Sequence, residues 1–106
     1  MTYTLERVAG TTPKKPKAIV RDADGITPEE AARHLVRRLE EELAIGTQVV
    51  RPLNGERPWV VASISDRNDE LYRLTPEPTK RGQAVTGIIV EPRNKEAKDY
   101  LSDLLK

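Results

Sequence analysis

A chain of 106 residues with 18 Lys and Arg, 17 Asp and Glu, one His and no Cys has room for one domain and one modest core. The absent cysteines exclude a disulfide framework and thiol chemistry, and a lone histidine excludes a zinc site of the usual composition. A net charge of +1, with nine bases and eight acids before Asn54 and nine of each after it, excludes a global field that would draw in nucleic acid.

Tyr3 to Val8 has the make-up of a short strand. Gly10 to Lys17 carries two prolines and three lysines, so residues 9–17 read as an extended, solvated basic arm or linker within a single domain of residues 1–106. Arg7, Lys14, Lys15, Lys17 and Arg21 put five positive charges on this stretch with no acid among them. An extended chain with that spacing could follow a phosphate backbone, although the interleaved aromatics of a base-stacking platform are missing. Ala18-Ile19-Val20 then reads as a brief buried strand. Asp22-Ala23-Asp24-Gly25 resembles the start of a calcium loop, but the glycine falls at the fourth position and Arg33 stands at the twelfth, where a bidentate glutamate is needed. It is a turn into a helix.

Residues 27–45 hold every local signal for that helix. Thr27 is placed to cap, Pro28 sits where no N–H is missed, and Glu30 stands three residues after the cap. Ala32, Leu35, Val36, Leu39 and Leu43 form one apolar stripe, and Gly46 supplies a left-handed stop. Glu29–Arg33, Arg37–Glu41 and Arg38–Glu42 are ion-pair spacings, and His34 has Glu30 four residues before it. Arg33, His34, Arg37 and Arg38 could face phosphate or an acidic partner; the acids at helical spacing favour a solvated face.

After Gly46 the texture changes to strands. Thr47–Arg51 and Pro58–Ser65 flank Asn54-Gly55, a two-residue hairpin turn that would set Val50 opposite Trp59 and Val49 opposite Val60. Trp59 to Ile64 is apolar on both faces, as in a central strand covered on both sides. Leu71–Leu74 follows a turn at residues 65–70 that a three- or four-residue loop closes equally well, so its register stays open. Residues 75–82 form a polar loop whose Lys80 and Arg81 would extend the basic patch if the fold brought them near. Val85–Val90 resumes as a strand, with Gly87 a bulge or close-approach point. Asn94 caps a last helix, 94–105, whose stripe of Ala97, Tyr100, Leu101, Leu104 and Leu105 docks on the domain's own sheet.

The expected architecture is α+β: a curled antiparallel sheet of four to five strands, closed in its extreme form as an SH3-like barrel, packed by the long helix and the C-terminal helix. No phosphate loop or nucleophile elbow is present, and nothing singles out a carboxylate pair. The expectation is therefore a non-catalytic chain without cofactor or metal. Its expected role is a protein-interaction module or small assembly component with a protein partner, a second copy included. The alternative is an accessory nucleic-acid binder led by residues 7–21. The residues expected to carry binding are Trp59 and Arg57 around the Asn-Gly turn, Lys14, Lys15, Lys17 and Arg21 on the arm, and Lys80 and Arg81. Trp59 has a second reading, as the largest piece of the core. No apolar run approaches the roughly 20 residues of a membrane span and the N-terminus has no signal-like apolar region, so a cytoplasmic location is expected.

Overall fold

A computed structural model describes residues 3–10, 14–50, 59–65 and 69–106. The long helix, α1, runs Pro28–Leu43 behind an extended Thr27, whose hydroxyl accepts the Glu30 N–H at 3.2 Å and donates to the Glu30 carboxylate at 2.9 Å. Ala31, Ala32, Leu35 and Leu39 are buried, with Val36 and Leu43 packed at the margin, so the apolar stripe lies where its spacing places it.

Its C-terminus differs from the expected one. The left-handed residue is Ala44 (φ 55°, ψ 34°), and the Leu39 carbonyl takes the N–H groups of both Ala44 and Ile45. Gly46 has another use: a Cβ there would stand 3.4 Å from Ile64 Cδ1, and its carbonyl accepts the Ile64 N–H at 3.1 Å. The first left-handed position is set by where the helix must leave the sheet, and an alanine occupies it at a cost. A left-handed L-residue loses about 1–2 kcal/mol, partly offset by glycine's greater freedom in the unfolded chain. Ala44→Gly should therefore raise stability by about 0.5–1 kcal/mol, read as a higher urea midpoint at unchanged m-value.

The strands are β1 (Thr4–Arg7), β2 (Ala18–Arg21), β3 (Thr47–Val50), β4 (Val60–Ser63), β5 (Glu70–Pro76) and β6 (Gly87–Pro92). They form one open antiparallel sheet in the order β1-β2-β6-β5-β4-β3. Among the described residues the count is six rather than four to five, because both N-terminal strands join the sheet. No barrel closes. The α1 crossover carries the chain from β2 to the far edge, and the β3–β6 meander then walks back to pair with β2, leaving β1 and β3 at opposite margins.

Two registers needed the structure. Val50 pairs with Val60 and Val49 with Val61, one residue away from the alignment a two-residue Asn-Gly turn imposes; residues 51–58 themselves lie outside the described residues. Between β4 and β5, Val61 pairs with Tyr72 but Ala62 with Glu70. Leu71 is the extra residue of a bulge that shifts the register between these two pairs; residues 66–68 of the turn, whose loop length the sequence left open, lie outside the described residues. The bulge has an energetic reason: Leu71 and Tyr72, adjacent in sequence, are both buried in the same cluster, which an unbroken strand would forbid.

That cluster lies between the sheet and the two helices. It joins Ala18, Val20, Val61, Tyr72, Leu74, Ile88 and Val90 to Leu35 and Leu39 of α1 and to Ala97, Leu101 and Leu104 of α2 (Lys95–Leu104). Asn94 caps α2, its Oδ1 accepting the Ala97 N–H at 2.8 Å while its Nδ2 reaches the Asp69 carboxylate and the Glu70 carbonyl. The C-terminal stripe is thus docked on its own sheet. No helix is long and apolar enough to cross a membrane among the described residues.

Candidate functional site

The described ends of the basic segment are tied to the sheet. Residues 8–17 join two strands that pair with each other, Val8 N–H donates to the Lys17 carbonyl at 2.9 Å, and Pro16 is fully buried. Lys14, Lys15 and Lys17 are exposed along it. Arg21, at the other end of β2, is engaged by carboxylates: its guanidinium lies 3.1 Å from Glu77 and 3.8 Å from Glu6. Gly87 is the close-approach point that lets this happen. It pairs with Arg21, and a Cβ on it would collide with the Glu77 carboxylate and stand 2.8 Å from Ile19 Cδ1.

Lys80 and Arg81 do not extend the lysine patch. They lie in the loop after β5, where Glu77 N–H donates to the Gly87 carbonyl, at the Arg21 end of β2; Lys14, Lys15 and Lys17 stand at the Ala18 end. The fold sets the two groups at opposite ends of one strand. Arg57 lies outside the described residues. Trp59 is half-buried, one residue before the Val60–Val50 pair, with its carbonyl accepting the Leu74 N–H at 3.0 Å. It is not a member of the buried cluster; the largest fully buried side chain is Tyr72.

The two sheet edges differ in chemistry. β1 carries Glu6 and Arg7, and charge on an edge discourages a further strand. β3 reads Thr47-Gln48-Val49-Val50, with no charge and no proline, and its last three residues are half-exposed. Beside the start of β3, opposite Gly46, stands Ile64, which at 57% exposure is the exposed large hydrophobic side chain among the described residues. Trp59 stands at the other end. Sequence reasoning weighed Trp59 but missed Ile64, and no local signal marks it, since its exposure follows from β4 ending at Ser63.

A third region lies where β1 meets α1. The Tyr3 hydroxyl donates to Glu30 at 2.8 Å, and its ring sits 5.4 Å from the His34 ring, tilted by 47°. Hydrogen bonds from Tyr3 and Thr27 hold the Glu30 carboxyl below its ordinary range, while the bond to Glu30, and then burial, push the Tyr3 hydroxyl above its own. The expected His34–Glu30 pair does not form: the Glu30 carboxylate takes Tyr3 and Thr27, and His34 meets Arg37. Glu29–Arg33 and Arg38–Glu42 form as expected, at 2.7 and 3.0 Å. Arg37 turns away from Glu41 and meets His34 Nδ1 at 3.3 Å. A guanidinium has no acceptor, so Nδ1 carries the lone pair and the neutral ring holds its proton on Nε2, which is buried without a partner.

That arrangement fixes a pH response. Burial, and then the charges of Arg37 and Arg38, hold the His34 pKa below its ordinary value. The unfolded chain therefore takes up a proton near pH 6.5 that the folded chain resists, so stability is full above about pH 6.5 and falls as the pH drops toward the folded-state pKa. The urea midpoint of the wild type should fall more between pH 7.5 and 5.5 than that of His34→Gln. Equal slopes would assign the response to other groups.

Among the described residues no group of three or more His, Asp or Glu is placed to hold a metal ion. Compared with family models, with characterised proteins and with solved structures, the chain shows no significant match to any.

Proposed function

We propose that this chain is a non-catalytic protein-interaction module, a small assembly component of the cytoplasm, that takes an extended segment of a protein partner along the β3 edge. The observation that carries the reading is the contrast between the margins: β1 is blunted by charge, whereas β3 offers four uncharged residues with Ile64 and Trp59 at its two ends. Added strands gain main-chain hydrogen bonds along such an edge and specificity from alternate side chains. A second copy of this chain is one partner such an edge would accept. The alternative, nucleic-acid binding by residues 7–21, is less supported, since Arg21 is engaged by Glu6 and Glu77 and Lys80 and Arg81 stand at the far end of β2.

Gln48→Lys with Val50→Lys tests the reading, because both side chains point away from the helices while Thr47 and Val49 keep the core side intact. The double variant should retain its thermal midpoint yet lose at least about tenfold in affinity for the partner captured by the wild type, since lysine on an edge opposes strand addition. Binding should persist in Lys14→Ala/Lys15→Ala/Lys17→Ala and change little between about 50 and 200 mM salt. Loss on the lysine variant, or a steep salt dependence, would overturn the edge in favour of phosphate binding.

A further inference from the structure

Between Tyr3, just before β1, and the Glu30–Arg37 stretch of α1 lies a cleft of about 570 Å³, lined by Tyr3, Glu30, Arg33, His34 and Arg37. Its size is that of a small-molecule pocket. The Tyr3 and His34 rings form an aromatic wall. With Glu29 beside Arg33 its charges sum to zero, but Glu30 and Arg37, which both line it, do not pair with each other. Glu30 already accepts hydrogen bonds from Tyr3 and Thr27, and Arg33 is held by Glu29. Arg37, exposed at the rim, has no carboxylate partner among the described residues; its contact is with a neutral imidazole, which offsets none of its charge.

We propose that this cleft binds an aromatic anion, a flat ring bearing a carboxylate or phosphate, with the ring against Tyr3 and His34 and the anionic group on Arg37. Each part of the ligand answers a feature of the cleft. A planar guanidinium pairs with carboxylate or phosphate through two parallel N–H donors, and Arg37 can turn one edge to the anion while the other stays near His34 Nδ1. The ring replaces water on an aromatic wall that prefers offset or tilted stacking. An anion without a ring meets one exposed arginine only, and a ring without an anion leaves Arg37 unanswered. This site is separate from the β3 edge, on the opposite margin of the sheet.

The test is a titration of the full-length chain followed by the ring-proton resonances of Tyr3 and His34, with benzoate, phenyl phosphate, benzyl alcohol, acetate and inorganic phosphate as probes. Benzoate or phenyl phosphate should give saturable shifts at both rings with millimolar or better affinity, and the stronger of the two identifies the anion. Benzyl alcohol, acetate and inorganic phosphate should bind at least about tenfold more weakly. Arg37→Gln should weaken the preferred probe about tenfold. That side chain is exposed, so the variant should fold as the wild type does, and Lys14→Ala/Lys15→Ala/Lys17→Ala should bind as the wild type does. The proposal fails if no aromatic anion gives a saturable shift at Tyr3 and His34, if benzyl alcohol binds as well as benzoate, or if Arg37→Gln leaves affinity unchanged.

Discussion

Replacing Tyr72 with Ala should cost about 3–5 kcal/mol, whereas Tyr72→Phe should cost only about 1 kcal/mol. The side chain is fully buried at the bulge of β5, in the cluster that joins sheet and helices. Removing the ring opens a cavity at the point where the chain has given up regular pairing to send two neighbouring residues inward. The hydroxyl is a smaller matter. It donates at 2.6 Å to the Ala97 carbonyl in the first turn of α2, and burial pushes its pKa well above the ordinary tyrosine value, which favours the neutral donor. Phe keeps the volume and loses that hydrogen bond.

The two variants should also differ in where they loosen the molecule. Against a total stability of about 5–15 kcal/mol for a domain of this size, the alanine change removes a large share and should lower protection from amide exchange throughout the chain. The phenylalanine change should raise exchange first in residues 95–104, because Tyr72 tethers α2 to the sheet. If Tyr72→Phe were as damaging as Tyr72→Ala, the hydroxyl rather than the ring would be what holds β5 and α2 together.

How far the sequence could be read follows from how local each signal is. The start of α1 was legible because Thr27, Pro28 and Glu30 act within one turn, and α2 because Asn94 and the Ala97–Leu101–Leu104 stripe do the same. The end of α1 was misplaced from Ala44 to Gly46, since an alanine accepts a left-handed conformation only where tertiary packing demands it. Sheet register was the weakest point. One residue in the β3–β4 connection moves every side chain to the other face, and the bulge at Leu71 answers a packing need, the joint burial of Leu71 and Tyr72, that no window of sequence shows.

The candidate sites divide in the same way. Exposure of Lys14, Lys15 and Lys17 could be read from composition, but the fate of Arg21 depended on Glu77, 56 residues away, and on Gly87 leaving room between them. The cleft at Tyr3 depends on a contact between residues 3 and 30. No local signal marks it: Arg37–Glu41 and Arg38–Glu42 share the same order and spacing, yet Arg38 holds Glu42 while Arg37 meets His34.

Leu35→Ala and Leu39→Ala should each cost about 2.7–5 kcal/mol, and together they should leave the chain largely unfolded at 25 °C. Both side chains have no exposed area and meet strand and α2 residues in the shared cluster. Each deletion therefore loses transfer free energy and leaves a hole that the surrounding elements cannot close without shifting. Ile64→Ala is the control on the same chemistry. It removes a comparable volume, yet Ile64 is 57% exposed, so the expected cost is below about 1 kcal/mol. Urea denaturation of the three variants would give midpoints in that order, with m-values close to the wild type as long as unfolding stays two-state. A small effect at Leu39 would mean that α1 contributes little to the stability of the sheet. The two ends of β3, held on one side by the α1 exit and on the other by Val60, would then have no fixed frame, and the edge they present could not select a partner by register.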